Sequence, residues 1–174
     1  MKILSIKMNN HRRAFELRTY KGRYEYPYAM LDTRPTDDDR IERVYIDPEL
    51  GEEAFTYEMT SGAEDSIHID RVLEYNRDPA YMRDLLLYRL TIEAKKLVKS
   101  SPLGIRELSR RLDTSPTQVY RLLDEENYRK SIDGVFGLLS VLQCRIDIRS
   151  QNDKANGEHI AEQAQPTLQL VVHA

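Results

Sequence analysis

The chain has 174 residues, of which 40% are hydrophobic and 32% are charged, and its formal net charge is −3. This composition can supply one large or two small globular domains with ordinary solvated surfaces. The single cysteine, Cys144, excludes an internal disulfide and favours a reducing, cytoplasmic location. Basic residues interrupt the N-terminus, which argues against a signal peptide, and no apolar run reaches the roughly 18 residues of a transmembrane helix.

The charge is unevenly distributed along the chain. Residues 1–78 carry 12 Lys/Arg and 17 Asp/Glu, a net charge of −5, whereas residues 79–148 carry 12 and 9, a net charge of +3. Residues 149–174 carry 2 and 3, a net charge of −1. The middle block is therefore the only basic one, which permits contact with nucleic acid without requiring it.

The first 78 residues have the pattern of β-strands. Their strand-like segments are rich in Ile, Val, Tyr, Phe and Thr, and several alternate apolar with polar residues: 3–8, 14–20, 23–28, 41–47, 54–60 and 66–72. Gly51 and Gly62 lie where the chain must reverse. Short strands with short connections predict an antiparallel β-meander, with the tyrosine rings packed on the sheet and their hydroxyls at its rim.

The periodicity changes to that of a helix after residue 78. Asp78 followed by Pro79 predicts a helix start, with a side-chain acceptor at the N-cap and a proline in the first turn. We place a domain boundary in the first turns of this helix, between a β-rich domain (1–78) and an all-α domain (79–148). The predicted fold class is α+β.

Residues 149–174 form a polar tail that has little to bury, and we expect it to be disordered. Its last segment, "TLQLVV" (167–172), has a strand-like pattern. This segment can add to a sheet edge in the same chain or in a partner, although an unpaired end is the preferred interpretation.

The stretch "IRELSRRLDTSPTQVYRLLD" (105–124) predicts two short helices joined by a four-residue turn, "LDTS". In the first helix the apolar residues share one face, and Ser109 beside them is small enough to let the second helix cross closely. Asp113 is the turn residue expected to adopt the left-handed conformation. Ser115 at the N-cap and Pro116 after it predict a sharp start for the second helix.

The second helix, residues 115–123, is expected to leave one polar face open, and this face suits the reading of bases. Gln118 can pair bidentately with adenine, Arg121 with guanine, and Thr117 can contact a phosphate or a thymine methyl group. The candidate base-reading residues are Thr117, Gln118, Tyr120 and Arg121. The competing interpretation is that any helical hairpin exposes polar residues, and Gln and Arg are common on solvated faces.

Further polar residues around this helix are candidates for contacts to the DNA backbone, which would fix the register of the protein on the duplex. The candidate phosphate-binding residues are Arg106, Arg110, Ser115, Tyr128, Arg129 and Lys130. An acidic run, residues 124–126, lies close to them and is unfavourable near phosphates.

Three segments of residues 91–148 resemble the Cro/repressor-like (XRE) helix-turn-helix family: "IRELSRRL", "DTSPTQVYRLL" and "SIDGVFGLLSVLQCRIDI". The resemblance implies a compact helical bundle that binds double-stranded DNA, usually as a homodimer. The chain has Asp113 where the family usually has glycine and Ser109 where it usually has alanine. The loop after the second helix also lacks the family's glycine, so Asn127 is expected to take the left-handed conformation there.

Residues 1–78 resemble a small β-rich domain of uncharacterised function that precedes such helix-turn-helix domains in some bacterial proteins. The similar segments are "ILSIKMNNHRRAFELRTYKGR" and "FTYEMTSGAEDSIHIDRVLEY". This resemblance implies no activity.

Two function hypotheses follow. The leading one is a bacterial, cytoplasmic, sequence-specific transcriptional regulator of the repressor-like kind, whose β-rich domain mediates dimerisation or binds a protein partner. The alternative is an antitoxin-like protein-interaction module in which DNA binding is secondary or lost. A third class, an enzyme acting through the sheet that carries His68 and the tyrosines, has no side-chain constellation to support it. His68 and Asp70 would share a strand face merely as neighbours, so we expect no enzyme activity. No cofactor or metal is expected, and the acidic run 37–39 is interpreted as a solvated loop.

Overall fold

The structure, a computed structural model, describes residues 1–151 and 167–173, with side chains up to Ile146. The described part of the chain has an α+β fold, in which two antiparallel three-stranded sheets are followed by five helices and a C-terminal two-stranded antiparallel sheet. The chain divides into two compact units, Met1–Arg83 and a second that begins at Asp84. Each unit has its own apolar core.

The first unit contains the two three-stranded sheets. One sheet consists of β1 (Ile3–Asn9), β2 (Ala14–Thr19) and β3 (Arg23–Pro27), and the other of β4 (Ile41–Ile46), β5 (Ala54–Met59) and β6 (Glu64–His68). The strands of each sheet pair in chain order. The first five predicted strands are confirmed, but the six strands are divided between two sheets rather than joined in a single meander.

The predicted strand 66–72 is wrong beyond His68, because the chain continues as helix α1 (Ile69–Tyr75). Ile67 and Ile69 fit the alternation of a strand, but Ile69, Val72 and Leu73 also have helical spacing, and all three are buried. His68 is the N-cap of α1, and its Nδ1 accepts a hydrogen bond of 3.3 Å from the Asp70 N–H. The short apolar pattern is compatible with the two-residue period of a strand and with the 3.6-residue period of a helix. The chain forms the helix, which buries Ile69, Val72 and Leu73.

Aromatic rings from both sheets form the centre of the first core. The ring of Phe15 on β2 lies 4.9 Å from the rings of Tyr28 and Phe55 in edge-to-face contact. The hydroxyl of Tyr28 donates to Asn10 Oδ1 at 3.0 Å, and that of Tyr57 donates to the Thr33 carbonyl at 3.2 Å. Burial raises the pKa of Tyr57 to about 12. The rings of Tyr28 and Tyr57 therefore pack inside as predicted, but their hydroxyls find partners within the protein rather than at the rim of the sheet, and Tyr20 is 71% exposed.

The long helix α2 (Pro79–Ser100) starts where the sequence predicts. Asp78 Oδ1 accepts a hydrogen bond of 3.0 Å from the Tyr81 N–H, which makes Asp78 the cap of the helix. Asp78 Oδ2 accepts a second one, of 2.9 Å, from the Tyr24 hydroxyl. The cap therefore also holds the first turn of α2 against β3.

The second unit contains most of α2, followed by α3 (Ile105–Arg111), α4 (Pro116–Leu123) and α5 (Ile132–Val141). Each helix contributes fully buried apolar side chains to one core: Leu87, Leu90, Ala94, Leu108, Val119, Val135, Leu138 and Leu139. The predicted helices of this region are present.

The C-terminal two-stranded sheet corrects two expectations. Strand β7 (Arg145–Gln151) pairs antiparallel with β8 (Thr167–His173). The end of the predicted all-α domain and the start of the predicted disordered tail therefore both form part of a strand. The preferred interpretation of 167–172 as an unpaired end is therefore wrong. The register places apolar residues of the two strands opposite each other at every second position: Ile146 lies opposite Val172, and Ile148 lies opposite Leu170. The alternating pattern of both segments therefore fits strand pairing. The disorder predicted for 152–166 lies outside the described residues.

The side chain of Asn76 binds backbone groups at the edge of β3 that no neighbouring strand pairs in the described part of the chain. Removal of these hydrogen bonds tests the packing of the first unit. Asn76 Nδ2 donates to the Glu25 carbonyl at 2.7 Å, and Asn76 Oδ1 accepts from the Glu25 N–H at 3.3 Å. Replacing Asn76 by Ala should lower the free energy of unfolding by about 1–3 kcal/mol, since both edge groups lose their partner. Chemical denaturation followed by circular dichroism measures this. Glu74→Ala, an exposed change in α1, the helix that Asn76 caps, should stay within about 0.5 kcal/mol.

Candidate nucleic-acid interface

The turn between α3 and α4 has the backbone that the sequence predicts. Asp113 has a φ of 49°, in the left-handed region where glycine is usual. The Thr114 N–H donates to the Ser109 carbonyl at 2.9 Å, which closes the turn on α3. Ser115 is the N-cap of α4, with its Oγ accepting from the Gln118 N–H at 3.2 Å, and Pro116 is the first helical residue. The start of α4 is therefore fixed by local chemistry.

Close packing on two sides positions α4. Ser109 on α3 is buried, and its hydroxyl donates to the Arg106 carbonyl at 2.8 Å, so a polar side chain is accommodated at a tight helix contact. Val119 at the centre of α4 is fully buried. On α5, a Cβ added to Gly134 would lie 2.8 Å from Leu122 Cδ2, which shows that α4 approaches α5 where no side chain intervenes. The inner face of α4 is thereby committed to the core.

The opposite face of α4 is open. All four candidate base-reading side chains are exposed, and Tyr120 is 61% exposed: Thr117, Gln118, Tyr120 and Arg121. Among the described residues, none of these four side chains has a hydrogen-bond or ion-pair partner. The helix therefore brings together amide, hydroxyl and guanidinium groups that remain free to bind a ligand.

Two of the arginines on α3 are held by a carboxylate of the same helix. The guanidinium of Arg110 donates to Glu107 through Nε at 2.9 Å and Nη2 at 2.7 Å, and Arg111 Nε donates to the same carboxylate at 2.8 Å. Hydrogen bonds from Arg110 and then Arg111 lower the pKa of Glu107 to about 2. Arg106, by contrast, is exposed and its side chain has no partner among the described residues. The predicted phosphate-binding residues on α3 are therefore not equivalent.

The loop after α4 also divides the predicted phosphate contacts. Lys130 Nζ donates to the Asp124 carbonyl, and burial lowers the pKa of Lys130. The side chains of Tyr128 and Arg129 are exposed. Ser115 is engaged as the cap of α4. Tyr128 and Arg129 are therefore the accessible candidates beyond α4.

Asn127 does not take the left-handed conformation expected of it. Its Nδ2 instead donates to the Arg121 carbonyl at 3.1 Å, and its Oδ1 accepts from the Arg129 N–H at 3.2 Å. The amide side chain satisfies a free carbonyl at the end of α4, which replaces the function of a left-handed glycine.

Part of the acidic run after α4 is neutralised by a contact that the sequence did not indicate. Glu125 Oε2 lies 3.0 Å from Nζ of Lys95 on α2. The two residues are far apart in the sequence, so only the packing of α2 against this loop brings them together. Asp124 and Glu126 remain exposed.

The other side-chain groups considered in the sequence make local contacts. His68 Nδ1 is 3.5 Å from Asp70 Oδ2, and both side chains are about half exposed at the start of α1. Asp39, in the acidic run 37–39, accepts hydrogen bonds from the N–H and hydroxyl of Ser61, both at 2.9 Å, and anchors the β5–β6 turn. Among the residues that the structure describes, no group of three or more His, Cys, Asp or Glu residues is arranged to hold a metal ion.

Comparison with known proteins gives no relative: no family model, no curated protein and no solved structure matches the chain. No helix in the described part of the chain combines the length and apolar character needed to cross a bilayer.

The left-handed residue in the turn can be tested by substitution. Asp113→Val should lower the free energy of unfolding by about 1–2 kcal/mol or more, because a β-branched residue is strained at this φ. Asp113→Gly should leave it unchanged or raise it by up to about 1 kcal/mol, because glycine adopts this conformation without strain. Chemical denaturation of the three proteins provides the comparison. Equal effects of Val and Gly would show that the turn does not need this conformation.

Proposed function

We propose that the chain is a sequence-specific DNA-binding regulator of transcription. In this proposal α3, the turn and α4 form a helix-turn-helix, and α4 enters the major groove as the recognition helix. The observation that carries the proposal is the division of α4 into a buried face, centred on Val119, and an exposed face whose polar side chains have no partner among the described residues.

The exposed face has the chemistry that base reading requires. Gln118 presents a donor and an acceptor for the adenine edge, and Arg121 presents a fork for the guanine edge. Thr117, in the first turn of α4, can contact a phosphate or a thymine methyl group, and the ring of Tyr120 offers an apolar contact. In helix-turn-helix proteins the first turns of the second helix approach the base edges, where these side chains lie.

The candidates for contacts to the DNA backbone are the cationic side chains that have no partner in the described part of the protein. Arg106 and Arg129 are exposed and have no side-chain partner among the described residues, so they are the strongest candidates for phosphate. Arg110 and Lys130 have first to release the partners that hold them. The net charge of +3 over residues 79–148 supports an approach to DNA by this part of the chain.

In the full proposal the protein acts as a homodimer. Two recognition helices about 34 Å apart would then match half-sites one helical turn apart in a pseudo-palindromic operator. The β-rich unit supplies the dimer contact or binds a protein partner.

The competing proposal is an antitoxin-like interaction module. The net charge of −5 over residues 1–78 favours it, since an acidic domain suits a basic protein partner. It predicts a stable complex with another protein and weak or unspecific contact with DNA. The binding experiment below distinguishes the two proposals.

Selection of bound sequences from random duplex DNA, followed by affinity measurement, tests the regulator proposal. We expect an enriched motif. Arg121→Ala should weaken binding to it by about 1–3 kcal/mol and relax the preference at one base pair. Gln118→Ala should relax the preference at a different base pair.

Arg89→Ala is the matched control, because it removes the same side chain from an exposed position of α2 on the face opposite the buried Leu87, Leu90 and Ala94. Its motif and affinity should equal those of the wild type. Recovery of no motif, with a steep salt dependence on all duplexes alike, would mean phosphate contact only and would contradict the proposal.

The unequal state of the α3 arginines gives a separate prediction. Arg106→Ala should reduce the salt dependence of DNA binding by about one unit of slope, because it removes one phosphate contact. Arg110→Ala should have a smaller effect, since the guanidinium of Arg110 is already bound by Glu107. Measurement of affinity at several salt concentrations provides both slopes. A larger loss for Arg110 than for Arg106 would show that the Glu107 pair opens on DNA.

A further inference from the structure

The first sheet carries a groove that the proposed function does not use. Its volume is about 680 Å³, and it is lined by residues of β1, β2 and β3 together with Tyr75 and Asn76 at the end of α1. Sites for small molecules have volumes of about 300–1,000 Å³, so the groove has a suitable size. Its lining residues all belong to the unit Met1–Arg83.

Two cross-strand rows of polar side chains border the groove on the same face of the sheet. The strand register places Ser5, Arg18 and Arg23 in one row and Lys7, Glu16 and Glu25 in the next. Rows two residues apart share a face because side chains alternate along a strand. The two rows differ in how their charges are paired.

In the second row the carboxylates have cationic partners. Lys7 Nζ lies 2.8 Å from Glu16 Oε2, and Asn9 Nδ2 also donates to Glu16. Hydrogen bonds from Lys7 and then from Asn9 lower the pKa of Glu16. Glu25 pairs with Arg12. These charges balance one another and leave little for a ligand.

In the first row the cations have no counterion. Arg18 and Arg23 are both exposed, and among the described residues their side chains make no hydrogen bond or ion pair. They lie directly opposite each other on β2 and β3, and like charges in this relation destabilise an antiparallel sheet. Two adjacent uncompensated cations in a groove are the arrangement that an anion would stabilise.

We infer that Arg18 and Arg23 bind the phosphate group of a small organic phosphate. Each guanidinium can bond two phosphate oxygens, and a dianion between them replaces their repulsion by attraction. Ser5, next to Arg18 in the same row, adds a hydroxyl donor. The groove is larger than a phosphate group, and the ring of Tyr75, which is 43% exposed and lines it, offers an apolar surface for the organic part.

Titration of the full chain with phenyl phosphate and with inorganic phosphate, at constant ionic strength, tests this site. Backbone amide NMR signals of Ser5, Arg18 and Arg23 should shift saturably, and phenyl phosphate should bind several-fold more tightly than inorganic phosphate. Arg18→Gln/Arg23→Gln should bind phenyl phosphate at least about tenfold more weakly. Without ligand, this variant should unfold at a higher temperature than the wild type, because the repulsion is removed.

The matched control is Arg34→Gln/Arg43→Gln, which removes two cations at exposed positions outside the groove and should keep the wild-type affinity. An equal loss in the control would reduce the effect to general charge and contradict the site. Shifts that never saturate would contradict it as well. Shifts of the same amides with mixed-sequence duplex DNA but not with either phosphate would show a nucleic-acid contact instead. Because no arm of this test requires α4, its failure is separate from failure of the regulator proposal.

Discussion

The orientation of α4 in the second unit depends on the burial of Val119. Val119 is the only fully buried side chain of α4, and with the half-buried Leu122 and Leu123 it fixes which way this short helix faces. An eight-residue helix has little stability of its own, so its orientation follows from packing rather than from propensity. Once Val119 is inside, residues 117, 118, 120 and 121 have to face outward. The proposed interface is thus a consequence of how the core is filled.

The helices around this interface could be predicted because their signals are local. The cap at Ser115, the proline after it and the left-handed Asp113 all lie within a few residues of the feature that they determine. The start of α2 at Asp78 is of the same kind. The errors arose where distant parts of the chain decide. Ile69 fits both a strand and a helix until packing selects the helix, and β7 has a partner only because β8 returns to it.

The electrostatics divide in the same way. The Glu107–Arg110 pair has a local spacing of three on one helix, although the sequence predicted a phosphate contact for Arg110 instead. Lys95 and Glu125 meet only through the packing of α2 against the loop after α4. The opposition of Arg18 and Arg23 depends on the β2–β3 register, which a composition argument does not provide. Asn127 was assigned a backbone role by analogy with glycine, but its side chain performs the capping directly. Contacts that depend on strand register or on tertiary packing are therefore the ones that could not be predicted from the sequence.

If the chain binds DNA as proposed, the duplex covers the open face of α4. Hydroxyl-radical footprinting read by mass spectrometry, with and without a bound duplex, tests it directly. Tyr120 on α4 is 61% exposed and Tyr20 in the β-rich unit is 71% exposed, so both should be oxidised readily in the free protein. Bound DNA should protect Tyr120 from oxidation and leave the oxidation rate of Tyr20 unchanged. Oxidation of Tyr120 at an undiminished rate in the complex would contradict it.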